Sequence, residues 1–276
     1  MIIGHQKQFL SLKKSAELNR LAHAYLFSGP EKVGKRTVAL ELSSFLLKED
    51  LASKQHPDFI LVGLEPEKTE IEISQIRDLI WKLALKPYSA PLKIAVIDGA
   101  HLMNKDAQNC FLKTLEEPAK DTLLILISAY PKGLLPTIIS RCQVINFYPL
   151  PQKEIEKAFS KEIADISLGR PGRAVDFLDY QKLAEFKKGL KEIADVSRAD
   201  FASRFQYAKE ISQNNNLKEI LENWLFYFRN LLIENCPKPG FERYAAILKK
   251  IQEVSSLISS TNVNSRLALE ILMLEI

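Results

Sequence analysis

Apolar positions in the first 150 residues fall into short continuous runs. Residues 25–28, 58–62, 93–97, 122–128 and 143–147 form five such runs, each bounded by Gly, Pro, Asp or a charge cluster. Continuous apolarity predicts strands covered on both faces, as in a parallel sheet. The segments between them carry helical spacing. Residues 35–47 follow a glycine-containing loop. Ser74 is placed to cap a helix with Ile76, Leu79, Ile80 and Leu83 on one face. Asn104 is placed to cap the next, with Ala107, Cys110, Phe111 and Leu115 together and Pro118 as the stop. This alternation predicts an α/β domain.

After Pro149-Leu150-Pro151 the pattern changes, and no further run has strand character. Residues 152–179 read as a small helical segment broken by Gly169-Arg170-Pro171-Gly172. From about residue 181 the spacing is helical throughout. Leu217, Leu221, Trp224, Leu225, Phe228, Leu231 and Leu232 make a wide apolar stripe, preceded by the turn and cap Asn214-Asn215-Asn216. Cys236-Pro237-Lys238-Pro239-Gly240 breaks the chain before a helix at 243–258. A last helix starts near Asn264 and carries Leu267, Ala268, Leu269, Ile271, Leu272, Met273, Leu274 and Ile276. Being apolar nearly all round, it should be buried on several sides, within its domain or against another subunit.

Composition narrows this little. A chain of 276 residues fits one large domain or two to three small ones. A formal net charge of +4 is weak support for an anionic partner. Cys110, Cys142 and Cys236 are odd in number and far apart, which fits free thiols and no disulfide frame. No CxxC pair is present, so no metal site and no structural zinc are expected. The longest apolar run, 123–129, is too short to span a bilayer, and the N-terminus has no secretory pattern. The expectation is a cytoplasmic protein with no membrane partner.

Gly29-Pro30-Glu31-Lys32-Val33-Gly34-Lys35-Arg36 has the spacing of a phosphate-binding P-loop up to its lysine. Glycines let backbone N–H groups face phosphates at the positive end of the following helix. The loop stands between a predicted strand and a predicted helix, the context the motif needs. Its next position should carry a Ser or Thr hydroxyl for magnesium and carries Arg36, a guanidinium that coordinates no cation. Thr37 lies about 100° further around the helix and does not replace it. Asp98 ends the third run, where a carboxylate could help hold hydrated magnesium. Gly99 follows where a catalytic glutamate often stands, leaving His101 as the nearby base. Gly29, Gly34, Lys35, Arg36, Thr37 and Asp98 thus make a degenerate nucleotide site. ATP or ADP binding there is left open and weak, with no cofactor required and no hydrolysis in cis expected.

Several stretches in order resemble one family: the delta-prime subunits of the bacterial DNA polymerase III clamp loader, within the AAA+ superfamily. They are Gly4-His5, His23 to Pro30 leading into Gly34-Lys35-Arg36-Thr37, His56-Pro57-Asp58, and Leu112-Lys113-Thr114-Leu115-Glu116-Glu117-Pro118. Leu134-Leu135-Pro136-Thr137-Ile138-Ile139-Ser140-Arg141-Cys142-Gln143 and Asn262 to Glu270 complete the set. The resemblance implies an AAA+ P-loop domain at 1–150, a helical lid at 151–180, and an all-α collar at 181–276 that joins subunits into a ring. It implies tau/gamma and delta subunits as partners, and the sliding clamp and primed DNA through the assembled complex. It makes Arg141 an arginine finger, a catalytic group acting in trans on a neighbouring subunit's ATP in DNA replication. Many relatives carry a four-cysteine zinc module before His-Pro-Asp, whereas Glu49 to Gln55 here holds no cysteine. Tyr130, with Ser128 nearby, stands where the resemblance places a polar sensor. Gly172 takes the place of the lid's sensor arginine, with Arg173 one residue off.

Two other functions compete. A tau/gamma-type clamp loader ATPase is opposed by Arg36 and Gly99. A P-loop phosphotransferase lacks an acceptor site. Lysines 7, 13, 14, 132, 188 and 191 could meet DNA phosphates, but they are scattered along the chain.

Overall fold

The computed structural model describes residues 2–51, 56–214, 216–237, 240–260 and 263–276. The chain divides into two compact units, Met1–Val175 and Asp176–Ile276. Residues 52–55, Asn215, Lys238, Pro239 and Asn262, on which some of the sequence assignments fall, lie outside the described residues.

The first unit is built on one parallel sheet of β1 (Ala24–Ser28), β2 (Phe59–Val62), β3 (Lys93–Asp98), β4 (Thr122–Ser128) and β5 (Gln143–Asn146). The strand order is β2-β3-β4-β1-β5. In the register, Leu26 of β1 lies opposite Leu126 of β4 and Val144 of β5. Both faces are covered over the central strands β1, β3 and β4, whereas the edge strands depart from the expected two-sided cover: β5 is largely exposed and Leu61 of β2 faces solvent. Leu26, Ala95, Ile97, Leu124 and Leu126 enter one core, and Tyr25, Phe27, Ile94, Val96 and Ile125 enter the other. Five helices belong to this sheet: α1 (Gln6–Glu17), α2 (Lys35–Leu47), α3 (Ile73–Ala84), α4 (Lys105–Glu116) and α5 (Pro136–Ile139). The sequence pattern did not predict α1, because Leu12 is its one buried residue and its other positions are largely polar.

Two boundaries differ from the sequence reading. Helix α3 is capped by Glu72, not Ser74. The Glu72 carboxylate and the Gln75 side chain form a reciprocal capping box, which starts the helix at Ile73. Strand β2 begins at Phe59, because Asp58 is engaged through its side chain. Its carboxylate accepts the N–H groups of Tyr88, Ser89 and Ala90 at 2.7, 2.9 and 3.0 Å. His56 Nδ1 in turn accepts the Asp58 N–H at 3.0 Å. The His-Pro-Asp motif is therefore a staple between two loops. Burial alone would raise the Asp58 carboxyl, but the N–H groups of Ser89, Tyr88 and Ala90, with His56, hold it below the ordinary range.

Beyond β5 the described residues contain no strand. Three short helices, α6 (Gln152–Glu156), α7 (Lys161–Ile166) and α8 (Pro171–Asp176), enclose Ile155, Ala164 and Ala174. The second unit holds α9 (Tyr180–Val196), α10 (Phe201–Ile211), α11 (Leu217–Asn235), α12 (Phe241–Ser260) and α13 (Ser265–Glu275). Its core joins Leu221, Trp224 and Phe228 of α11 to Ile247 and Ile251 of α12 and to Leu269, Leu272 and Met273 of α13. Asn264 caps α13 by accepting the N–H groups of Arg266 and Leu267. On the other side of α13, Leu267, Ile271 and Leu274 are exposed. Among the described residues no helix is long and apolar enough to cross a membrane.

Candidate functional site

The P-loop leaves the carboxyl end of β1, the edge of a parallel sheet where α/β proteins place ligands. At Gly29 a side chain is excluded, since a Cβ would lie 2.1 Å from the Phe147 carbonyl oxygen. Gly34, in the left-handed region at φ 107°, starts α2. Val33 is fully buried and anchors the loop in the sheet's core.

The charged groups of this loop are engaged within the chain. Lys35 is buried, and its Nζ donates to the carbonyls of Gly29 at 2.5 Å and Pro30 at 2.6 Å. Burial pulls its pKa down to about 8, against the opposing pull of Glu31 and Asp98. The Arg36 guanidinium, more than half exposed, lies 3.6 Å from Asp98 Oδ2, so a resident cation faces the carboxylate that a magnesium ion would need. Thr37 is exposed on α2. Gly99, the residue after Asp98, has φ 77°, a backbone that a glutamate would adopt only with strain. This donor set does not match a magnesium–nucleotide site. Among the described residues no cluster of His, Cys, Asp and Glu is grouped to hold a metal.

Two further segments close on the loop. His5 is buried with its ring 4.9 Å from that of Phe147. Burial lowers its pKa, a hydrogen bond to the Val33 backbone opposes this, and the Lys35 charge adds to the lowering. From the other direction, the Gly172 N–H in α8 donates to the Lys32 carbonyl at 2.8 Å. A Cβ on Gly172 would sit 2.9 Å from that oxygen, so contact with the loop requires glycine there. Arg173 beside it is buried. Tyr130 follows β4 with its N–H on Ser128 Oγ at 3.2 Å; its side chain is exposed, while Ser128 is buried.

Arg141 stands apart from this closed loop, just after α5. Its Nη1 donates to the Thr137 carbonyl at 2.9 Å, and its Nη2 donates to Glu116 Oε1 at 2.7 Å. The side chain keeps 34% of its surface exposed. Burial pushes the neighbouring Cys142 thiol up to about 11, so it is no nucleophile at neutral pH.

The segment that carries Arg141 is set by a residue that sequence reasoning missed. Gln108 is buried in α4; its amide donates to the carbonyls of Met103 and Gly133, and its Oε1 accepts the Leu135 N–H at 2.8 Å. It thereby ties α4 to the residue that caps α5. The available signal was a polar residue on the apolar face, beside Ala107, Phe111 and Leu115.

Comparison with known proteins agrees with this architecture. The family described as "DNA polymerase III, delta subunit" matches residues 4–151. DNA polymerase III subunit delta' of Bacillus subtilis is 33% identical over 224 residues, covering 76% of this chain and 63% of that protein. The subunit delta' of Pseudomonas aeruginosa is 40% identical over 147 residues, covering 47% and 44%. The chain thus spans less than two thirds of the length of either relative. Its fold is that of a DNA polymerase III gamma subunit-related protein from Thermotoga maritima, with a TM-score of 0.55 at 17% identity over 95% of this chain and 97% of that one. With an AAA+ sheet, a motif set running from Gly4 through Arg141, and more than half its length matched, the chain belongs to the DNA polymerase III delta subunit family.

Proposed function

We propose that this chain is a non-hydrolysing, delta-prime-type subunit of the DNA polymerase III clamp loader. It scaffolds the ring and supplies Arg141 in trans to ATP held by a neighbouring tau/gamma-type subunit while the sliding clamp is loaded onto primed DNA. The domains in this proposal are an AAA+ module at 1–150, a lid at 151–180 and a collar at 181–276, working in the cytoplasm. The observation that carries it is a contrast within one unit. The Lys35 ammonium is buried on the chain's own Gly29 and Pro30 carbonyls and Arg36 takes the magnesium-ligand position opposite Asp98, whereas Arg141, partly exposed on a braced segment, lies outside that loop. A guanidinium on a γ-phosphate stabilises the charge of the transition state and is worth about 10³–10⁵ in rate where it acts. It needs no nucleotide in its own subunit.

The test is the complex reconstituted with its native partners. Arg141→Ala should leave assembly intact and lower DNA-stimulated ATPase to what the remaining sites supply. An unchanged rate removes the finger assignment. Robust ATP turnover by the chain alone would overturn the non-hydrolysing assignment.

A further inference from the structure

Glu116 is the last residue of α4, and its carboxylate meets Arg141 from a position 25 residues earlier in the chain. Local physics disfavours a carboxylate there, because the C-terminal carbonyls of a helix already carry partial negative charge. A locally unfavourable residue that is satisfied by one tertiary partner points to a role for the pair. The second contact is local: the Thr137 carbonyl that accepts Arg141 Nη1 lies four residues back, in the single turn of α5. The guanidinium therefore bridges a main-chain carbonyl of α5 and the carboxylate at the end of α4. Gln108 fixes those helices relative to one another through its bond to the Leu135 N–H.

We propose that Glu116 is the positioning residue of Arg141, fixing the plane and direction of the guanidinium before it meets the phosphate of a nucleotide on a neighbouring subunit. This rests on the assignment of Arg141 as a finger in trans. A long arginine side chain is otherwise spread over many rotamers, and holding it beforehand removes ordering from the reactive step. The pair is half-exposed, with 34% and 47% of the two side chains accessible. Such pairs are weak, so the contact orients Arg141 and still yields Nη2 to the several negative oxygens of a triphosphate.

The experiment measures DNA-stimulated ATPase of the reconstituted complex against ATP concentration for Glu116→Ala, Glu116→Gln, Glu117→Ala, Arg141→Ala and the Glu116→Ala/Arg141→Ala double variant. Glu116→Ala should lower the Arg141-dependent part of kcat roughly two- to fivefold with KM unchanged. Glu116→Gln, whose amide oxygen still accepts Nη2, should recover most of that loss. Glu117→Ala, at the exposed carboxylate next door, should change nothing, and the double variant should be no slower than Arg141→Ala. Equal unfolding midpoints for Glu116→Ala and Glu116→Gln separate the effect from loss of fold. A wild-type kcat for Glu116→Ala beside a slow Arg141→Ala overturns the positioning role and leaves the finger standing. A Glu116→Ala loss that persists on the Arg141→Ala background also overturns it. An unaffected Arg141→Ala complex removes the finger itself, and the positioning role with it.

Discussion

Lys35 carries its ammonium into a site only 5% exposed, between the carbonyls of Gly29 and Pro30. Its folded pKa of about 8 lies below the value of about 10.4 expected in an unfolded chain. Between those values the unfolded chain binds more protons, so stability rises with pH across the window; below it both states are protonated and the buried charge is carried at a cost. Lys35→Met keeps the stem and removes the charge. Urea unfolding from about pH 8 to about pH 10 should show the wild type gaining about 1–3 kcal/mol on the variant. A constant difference would mean that Lys35 does not titrate there. Asp58 runs the other way. Its folded carboxyl lies below the ordinary range, so its contribution is complete above that range and is lost as pH falls through the folded value. Asp58→Ala leaves the N–H groups of Tyr88, Ser89 and Ala90 without their acceptor and should cost about 2–4 kcal/mol at neutral pH. The same unfolding measurements should show that deficit shrinking in acid.

At the scale of elements, the first turn of α8 lies on the P-loop through one hydrogen bond from Gly172 to Lys32, whose own φ is 59°. A methyl on Gly172 would meet the Lys32 oxygen at 2.9 Å and its Cα at 3.1 Å, both main-chain atoms with little room to yield. Gly172→Ala should therefore part helix from loop, cost about 1–3 kcal/mol, and speed amide exchange at Val33, Gly34 and Lys35. Unchanged exchange would show that the loop absorbs the methyl. The sequence made the presence of glycine at 172 visible, but not its contact, because Lys32 is far away in the chain. The same division holds elsewhere. All five strands were legible to within a residue or two, and the central β1, β3 and β4, buried on both faces, left the continuous apolar runs, while β5 is an exposed edge strand. Asn104 was legible as a cap because its partner, the Ala107 N–H, is local. Ser74 was misread because Glu72, two residues earlier, forms the capping box with Gln75. The loop from Gly29 to Lys35 was legible as a motif, whereas the Arg36–Asp98 and Arg141–Glu116 pairs join residues that only the folded sheet and helices bring together.

For the whole molecule, the informative element is α13. Ala268, Leu269, Leu272 and Met273 are buried within the second unit, while Leu267, Ile271 and Leu274 are 55%, 45% and 58% exposed. These three fall at i, i+4 and i+7, so they form one continuous stripe facing solvent. An ordered apolar stripe of this kind marks an interaction surface more often than scattered exposed residues do. The proposed ring gives it an occupant, a neighbouring subunit of the clamp loader. Leu267→Glu with Ile271→Glu alters side chains already in water, so the unfolding midpoint of the isolated chain should stay within a few degrees of the wild type's. Two charges placed where apolar surface must be buried should nonetheless abolish co-purification with the tau/gamma and delta partners. Retained co-purification would move the joining surface elsewhere on the chain. Arg141→Ala is the matched control, because it should assemble normally and fail in ATPase stimulation alone. If the stripe variant loses both assembly and stimulation while the Arg141 variant loses only the second, delivery of the guanidinium and its chemistry are separate functions of the two units.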